Sequence, residues 1–201
     1  MTIVAAGLAL TAAYYFGAQS IGYAQAGSGS CTYTVHTVNG DRSMRAYLQV
    51  VLDSASPSGA AIPGLDSALR INVSALDSGC DAVTVNRMTI DMSASDNAGS
   101  KWIRRSGRSG ITLEDVDTGV VVASGVASRI LGNTVRFAVD PFVLNSGETK
   151  TLDVYLDTSG ASALMDDSVQ LEVAANGIRW SDERRTIQEM NGAVVGGAIV
   201  F

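Results

Sequence analysis

The first 26 residues, Met1 to Ala26, carry no charged side chain and consist mainly of Ala, Gly, aliphatic residues and Tyr. Any fold for this chain must find a place for that segment, because an element that is apolar on every side has no face to turn toward water. As a helix rising about 1.5 Å per residue it would reach about 39 Å. That is enough to cross a bilayer or to form the inside of a fibre.

Three readings follow. A secretory signal peptide ends in a small-x-small site, which Ala24-Gln25-Ala26 supplies, but it also needs a basic flank, and no Lys or Arg precedes the apolar run. A lone membrane anchor is long enough but would be unusually poor in Leu and rich in Ala, Gly and Thr. On a helix, Ala5, Ala9, Ala13 and Gly17 fall at four-residue intervals and form a smooth ridge of the kind that lets helices approach closely. Ile3, Leu10, Tyr14 and Ile21 line another side, with Val4, Leu8 and Tyr15 beside them. A single small domain cannot surround such a rod, whereas many copies of the rod can surround one another.

An uncharged apolar helix of this length at a chain start, followed by a β-rich domain, resembles a type IV pilin or its archaeal relatives. In that family the N-terminal helices form the filament core. The resemblance is confined to residues 1–26, and Ala5 stands where bacterial members carry Glu. It implies a subunit of an extracellular, cell-surface filament that passes through a membrane before assembly and then forms a helical homo-oligomer. The alternative from another class is a membrane-anchored monomeric surface or adhesion domain.

Gly27-Ser28-Gly29-Ser30 reads as a flexible joint, which divides the chain into a hydrophobic helix (1–26), the joint (27–30) and a β domain (31–201). Beyond the joint the signals are those of strands. Cys31 to Val38 is rich in Thr, Val and Tyr, Asn39-Gly40 marks a turn, and Met44 to Leu52 reads as the next strand. Residues 54–66, with two prolines and two glycines, read as a surface loop. Leu69, Ile71 and Val73 alternate with Arg70, Asn72 and Ser74. From Val83 to Met92 the apolar positions change phase near Asn86-Arg87, the mark of a bulge.

Further on, Ile111–Leu113 and Val120–Ala123 flank an Asp117-Thr118-Gly119 turn. Val135–Val139, Thr149–Leu156 and Val169–Val173 alternate, and Ile178 and Trp180 open another apolar stretch. Strands at this spacing with Gly, Asn and Asp turns predict an immunoglobulin-like antiparallel β-sandwich. The apolar tail, residues 192–201, reads as a last core strand with Gly196-Gly197 at a bulge or close backbone approach, or else as a strand added to a neighbouring subunit.

The candidate functional residues are few. Cys31 and Cys80 are the only thiols, and outside the cell they would pair. Closing a loop of about 50 residues would stabilise by about 4 kcal/mol, and the contrary reading is two buried free thiols. Lys101, Trp102, Arg104, Arg105 and Arg108 form the one basic cluster. It suits a solvated hairpin tip, a contact between subunits, or a grip on an anionic surface glycan with Trp102 as a stacking platform. Asn72-Val73-Ser74 matches the N-glycosylation pattern.

A net charge of −6 points away from nucleic acid. One His and two Cys leave no zinc set, and no nucleophile–base motif is present, so neither a cofactor nor an enzyme is expected. Asp115 with Asp117, and Asp166 with Asp167, read as solvated turn residues rather than a calcium loop.

Overall fold

The structure is a computed structural model and describes residues 25–26, 33–37, 40–44, 46–76, 81–95, 111–124, 129–131, 134–161, 167–182, 186–187, 190 and 192–201. Every element in it is a strand. β1 (Gln25–Ala26), β2 (Tyr33–Thr37) and β3 (Gly40–Met44) make a small antiparallel sheet in that order. A second, five-stranded sheet runs β4 (Leu48–Leu52), β6 (Leu65–Ala75), β12 (Thr149–Asp157), β8 (Ile111–Asp115) and β9 (Val120–Ser124), antiparallel throughout.

The third sheet is built on β7 (Val83–Ala94), which is long enough to carry two partners along one edge. Its first edge pairs with β11 (Thr134–Leu144), which pairs in turn with β10 (Arg129–Leu131). The other edge is shared. β14 (Ile178–Ser181) takes residues 84–88, and β13 (Ser168–Val173) takes residues 91–94. β15 (Thr186–Ile187) adds to β14, and β16 (Val194–Val195) and β17 (Ile199–Val200) add to β13. The sheet ends in β5 (Gly59–Ala60), which lies parallel to β17.

The five- and nine-stranded sheets face each other over one core. Alternation selects the inward side chains: Leu69, Ile71 and Val73 on β6, Leu152, Val154 and Leu156 on β12, Ile90 and Met92 on β7, and Leu171 and Val173 on β13 are all buried. Each such aliphatic side chain contributes about 1.5–3 kcal/mol by leaving water. Trp180, with no exposed surface, meets Tyr47 edge to face, with centroids 6.4 Å apart and planes at 84°. Tyr47 leads into β4 and Trp180 lies on β14, so the pair joins the two sheets.

Several sequence expectations hold. The phase change at Asn86-Arg87 is a bulge: β14 slips register there, with Arg179 opposite Arg87 and Trp180 opposite Val85. The Asp117-Thr118-Gly119 turn joins β8 to β9, and Gly119 takes a φ of 66°, which favours glycine. The tail pairs within its own chain through β16 and β17. A Cβ on Gly196 would lie 2.9 Å from Leu69 Cδ1, and one on Gly197 would lie 2.3 Å from Ser58 Cβ, so both glycines permit the close approach foreseen for them.

The expected fold class is corrected in two respects. The long N-terminal hydrophobic helix over 1–26 does not hold, since no α-helix occurs among the described residues and Gln25 and Ala26 are strand residues paired with Thr34 and Tyr33. Spacing along a segment measures helical fit, but a ladder to a strand seven or more residues away satisfies the same backbone groups and is invisible to local periodicity. The immunoglobulin-like arrangement is also replaced. A forked nine-stranded sheet closed by a parallel edge pair differs from the two Greek-key sheets of that fold. Met44 to Leu52, read as one strand, is divided between β3 and β4, which belong to different sheets.

Candidate assembly surface

The outer face of the five-stranded sheet is a polar ladder in which neighbouring groups satisfy one another. Asp153 on β12 lies opposite Arg70 on β6 and is 1% exposed. Arg70 donates from Nε to Asp153 Oδ1 at 2.8 Å and from Nη2 to Oδ2 at 2.6 Å, and the Ser67 hydroxyl donates to Oδ1 at 3.0 Å. The bond to Asp153 holds the Arg70 guanidinium above its ordinary pKa. Burial, with the charges of Asp153 and Glu114, pushes the neighbouring Tyr155 hydroxyl up.

One rung along, Asn72 Nδ2 donates to Asp53 Oδ2 at 2.8 Å, and Asn72 Oδ1 accepts from Thr151 Oγ1 at 2.9 Å. The Ala55 N–H and then Asn72 hold the Asp53 carboxyl below its usual range. The atom a glycan would occupy, Asn72 Nδ2, is already hydrogen-bonded to Asp53.

At one end of the sandwich Asp115 and Lys150 form an ion pair on the inward side of the sheet, and Lys150 Nζ stands 5.9 Å from the centre of the Phe142 ring on β11. Asp115 is 2% exposed, so it is a buried anchor rather than a solvated turn residue. Burial alone would raise its carboxyl. Lys150 and the Asp117 N–H outweigh that, and the carboxyl titrates below its ordinary value.

The side edge of the sandwich is open. β4 pairs with β6 only from Ile71 to Ala75, so the half of β6 from Leu65 to Leu69 has β12 on one side and no strand on the other among the described residues. β5, the last strand of the facing sheet, likewise has a strand partner on one side only among the described residues. Between them lies a cleft of about 300 Å³ lined by Pro57, Gly59, Ala61, Ala68, Ile199 and Phe201. Apolar side chains stand exposed along the same edge: Val51 and Leu52 on β4, Val200 on β17, and Ile62, which is 85% exposed. Unpaired backbone beside exposed apolar groups is the usual means by which one chain meets another.

Of the sequence-derived site residues, only Asn72 falls within the described residues. Cys31, Cys80, Ile3, Ala5, Ala9, Leu10, Ala13, Tyr14, Gly17, and the cluster Lys101, Trp102, Arg104, Arg105 and Arg108 lie outside them. Among the described residues, no three His, Cys, Asp or Glu side chains come together as a metal-ligand set, and no helix is long and apolar enough to cross a membrane. The edge cleft had no sequence signal beyond the Gly and Pro content of residues 54–66, because both of its walls are set by long-range pairing.

No protein-family model matches the chain, and no curated protein does. Among solved structures it is similar to the sixth cohesin from Acetivibrio cellulolyticus scaffoldin B, solved with a Cel5 dockerin, at 12% identity and a TM-score of 0.35, covering 76% of this chain and 97% of that one. Self-complemented MyfA, the major subunit of Myf fimbriae from Yersinia enterocolitica, aligns at 8% identity with a TM-score of 0.27, over 76% of this chain and 97% of the other. The T6 backbone pilin of Streptococcus pyogenes aligns at 9% identity with a TM-score of 0.24, over 83% of this chain and 41% of the pilin. Likenesses of this size assign no function to the chain.

Proposed function

We propose that this chain is a structural, non-enzymatic subunit of an extracellular filament, assembling through its charge-free segment Met1–Ala26 with the β domain facing outward. One mismatch carries the reading. The sandwich fills its core with its own strands, leaving Leu69, Ile71, Leu171 and Trp180 with no exposed surface. Its open edge offers a cleft of only about 300 Å³. A run of 26 uncharged residues needs far more cover than that, and other copies of the same run supply it. The run is rich in Ala and Gly, whose small side chains let apolar chains approach closely.

The exposed edge at β4 and β5 then faces a neighbouring subunit, and Cys31 pairs with Cys80 in the oxidising exterior. Before assembly the segment resides in a membrane. A second reading, a membrane-anchored monomeric surface domain, draws on the same length of apolar chain. Mild detergent separates the two. The filament subunit stays in the high-speed pellet, whereas an anchored monomer passes into the supernatant, and that outcome would overturn the assembly reading.

A further inference from the structure

On the outer face of the nine-stranded sheet, two arginines stand side by side. Arg179 on β14 is the direct cross-strand partner of Arg87 on β7. Opposed residues of an antiparallel pair have Cβ atoms about 5 Å apart, and like charges there repel. Elsewhere the fold answers such a charge at once, as Asp153 does for Arg70 and Asp115 for Lys150. Arg87 and Arg179 have no acidic partner among the described residues.

The surroundings are built for a negative guest. The bulge at Asn86 brings the two arginines abreast, and β15 continues the floor beside them. Together with Asn86, Ser181 and Thr186 they line an open hollow of about 510 Å³, every lining side chain polar and none of them a carboxylate. The Asn86 amide donates to Thr84 O at 3.3 Å, which ties it to the strand. In a chain of net charge −6, a local pair of unanswered positive charges runs against the overall balance.

We propose that Arg87 and Arg179 form an oxyanion-binding site that takes a carboxylate or sulfate group between the two guanidinium forks. The hydroxyls of Ser181 and Thr186 bind neighbouring polar groups of the same ligand. Guanidinium matches the two-oxygen geometry of such anions better than ammonium does. The source is either the free anion or an acidic saccharide carrying it. The site is built from other residues than the basic cluster at 101–108, and it does not depend on the filament reading.

Equilibrium dialysis of the full chain against labelled sulfate and, separately, labelled glucuronate tests the proposal, with neutral glucose as control. Saturable uptake of one anion per chain is expected, with affinity lowered at least tenfold in Arg87→Gln and in Arg179→Gln and unchanged in Arg42→Gln. Tighter uptake of glucuronate than of sulfate assigns the saccharide as source; the reverse assigns the free anion. Added ligand is expected to raise the thermal midpoint of the parent and of neither site variant, while the ligand-free variants melt no lower than the parent. Uptake that persists in the Arg87→Gln/Arg179→Gln double variant, or that disappears in Arg42→Gln, would overturn the assignment.

Discussion

The outer faces of the two large sheets use the same residue types to opposite ends. On the five-stranded sheet, Arg70 is answered by Asp153, and Asn72 by Asp53 and Thr151, so the face is internally satisfied. On the nine-stranded sheet, Arg87 and Arg179 sit in register with no acidic partner among the described residues. A charge whose partner lies in the same sheet serves folding. A charge left over after folding is available for something outside.

This contrast can be broken by substitution. The largest effect is expected for Asp153→Ala, which strands a partly buried guanidinium; chemical denaturation should show a loss of about 3 kcal/mol. Asp115→Asn comes next, at about 1 kcal/mol, discounted for the partly exposed Lys150, and its effect depends on pH. The folded carboxyl titrates below its ordinary value of 3.8. Its contribution is therefore complete above that value and lost as pH falls through the lower folded one. Stability curves of parent and Asn variant should lie apart above pH 3.8 and draw together at more acidic pH.

Asn72→Ala removes two hydrogen bonds on a half-exposed face, and a loss of about 1 kcal/mol or less in the same assay is expected. The smallest effect belongs to the other sheet. Arg179→Gln should leave stability within about 0.5 kcal/mol of the parent, on the favourable side, because it removes a repulsion. A loss of about 2 kcal/mol there would erase the distinction between the two faces.

Much of this arrangement is legible in sequence wherever the determinant is local. The alternation of Leu69, Ile71 and Val73 with Arg70, Asn72 and Ser74 gives both the strand and its buried side. The doubled polar step at Asn86-Arg87 gives the bulge. What escapes reading is pairing between distant segments. Asp153 falls at a solvent-facing position of an alternating strand, yet Arg70, 83 residues away, covers it. Asp115 looks like a turn residue until Lys150 arrives beside it.

The same limit applies to the proposed anion site and to the chain start. Arg87 and Arg179 become neighbours only through the β7–β14 ladder, and Gln25-Ala26 becomes a strand only through Tyr33 and Thr34. For the edge cleft, the sequence offered turn residues but nothing about the half of β6 that β4 fails to cover.

We propose assembly through the charge-free segment, with the sandwich folding independently of that contact. Electron microscopy of the purified full chain beside its Ala13→Asp variant tests this most directly, with thermal melting to verify the β domain in both. The account predicts filaments for the parent, none for the variant, and the same melting midpoint for the two. Monodisperse globular particles from the parent with residues 1–26 intact, or unchanged filaments from the variant, would contradict it.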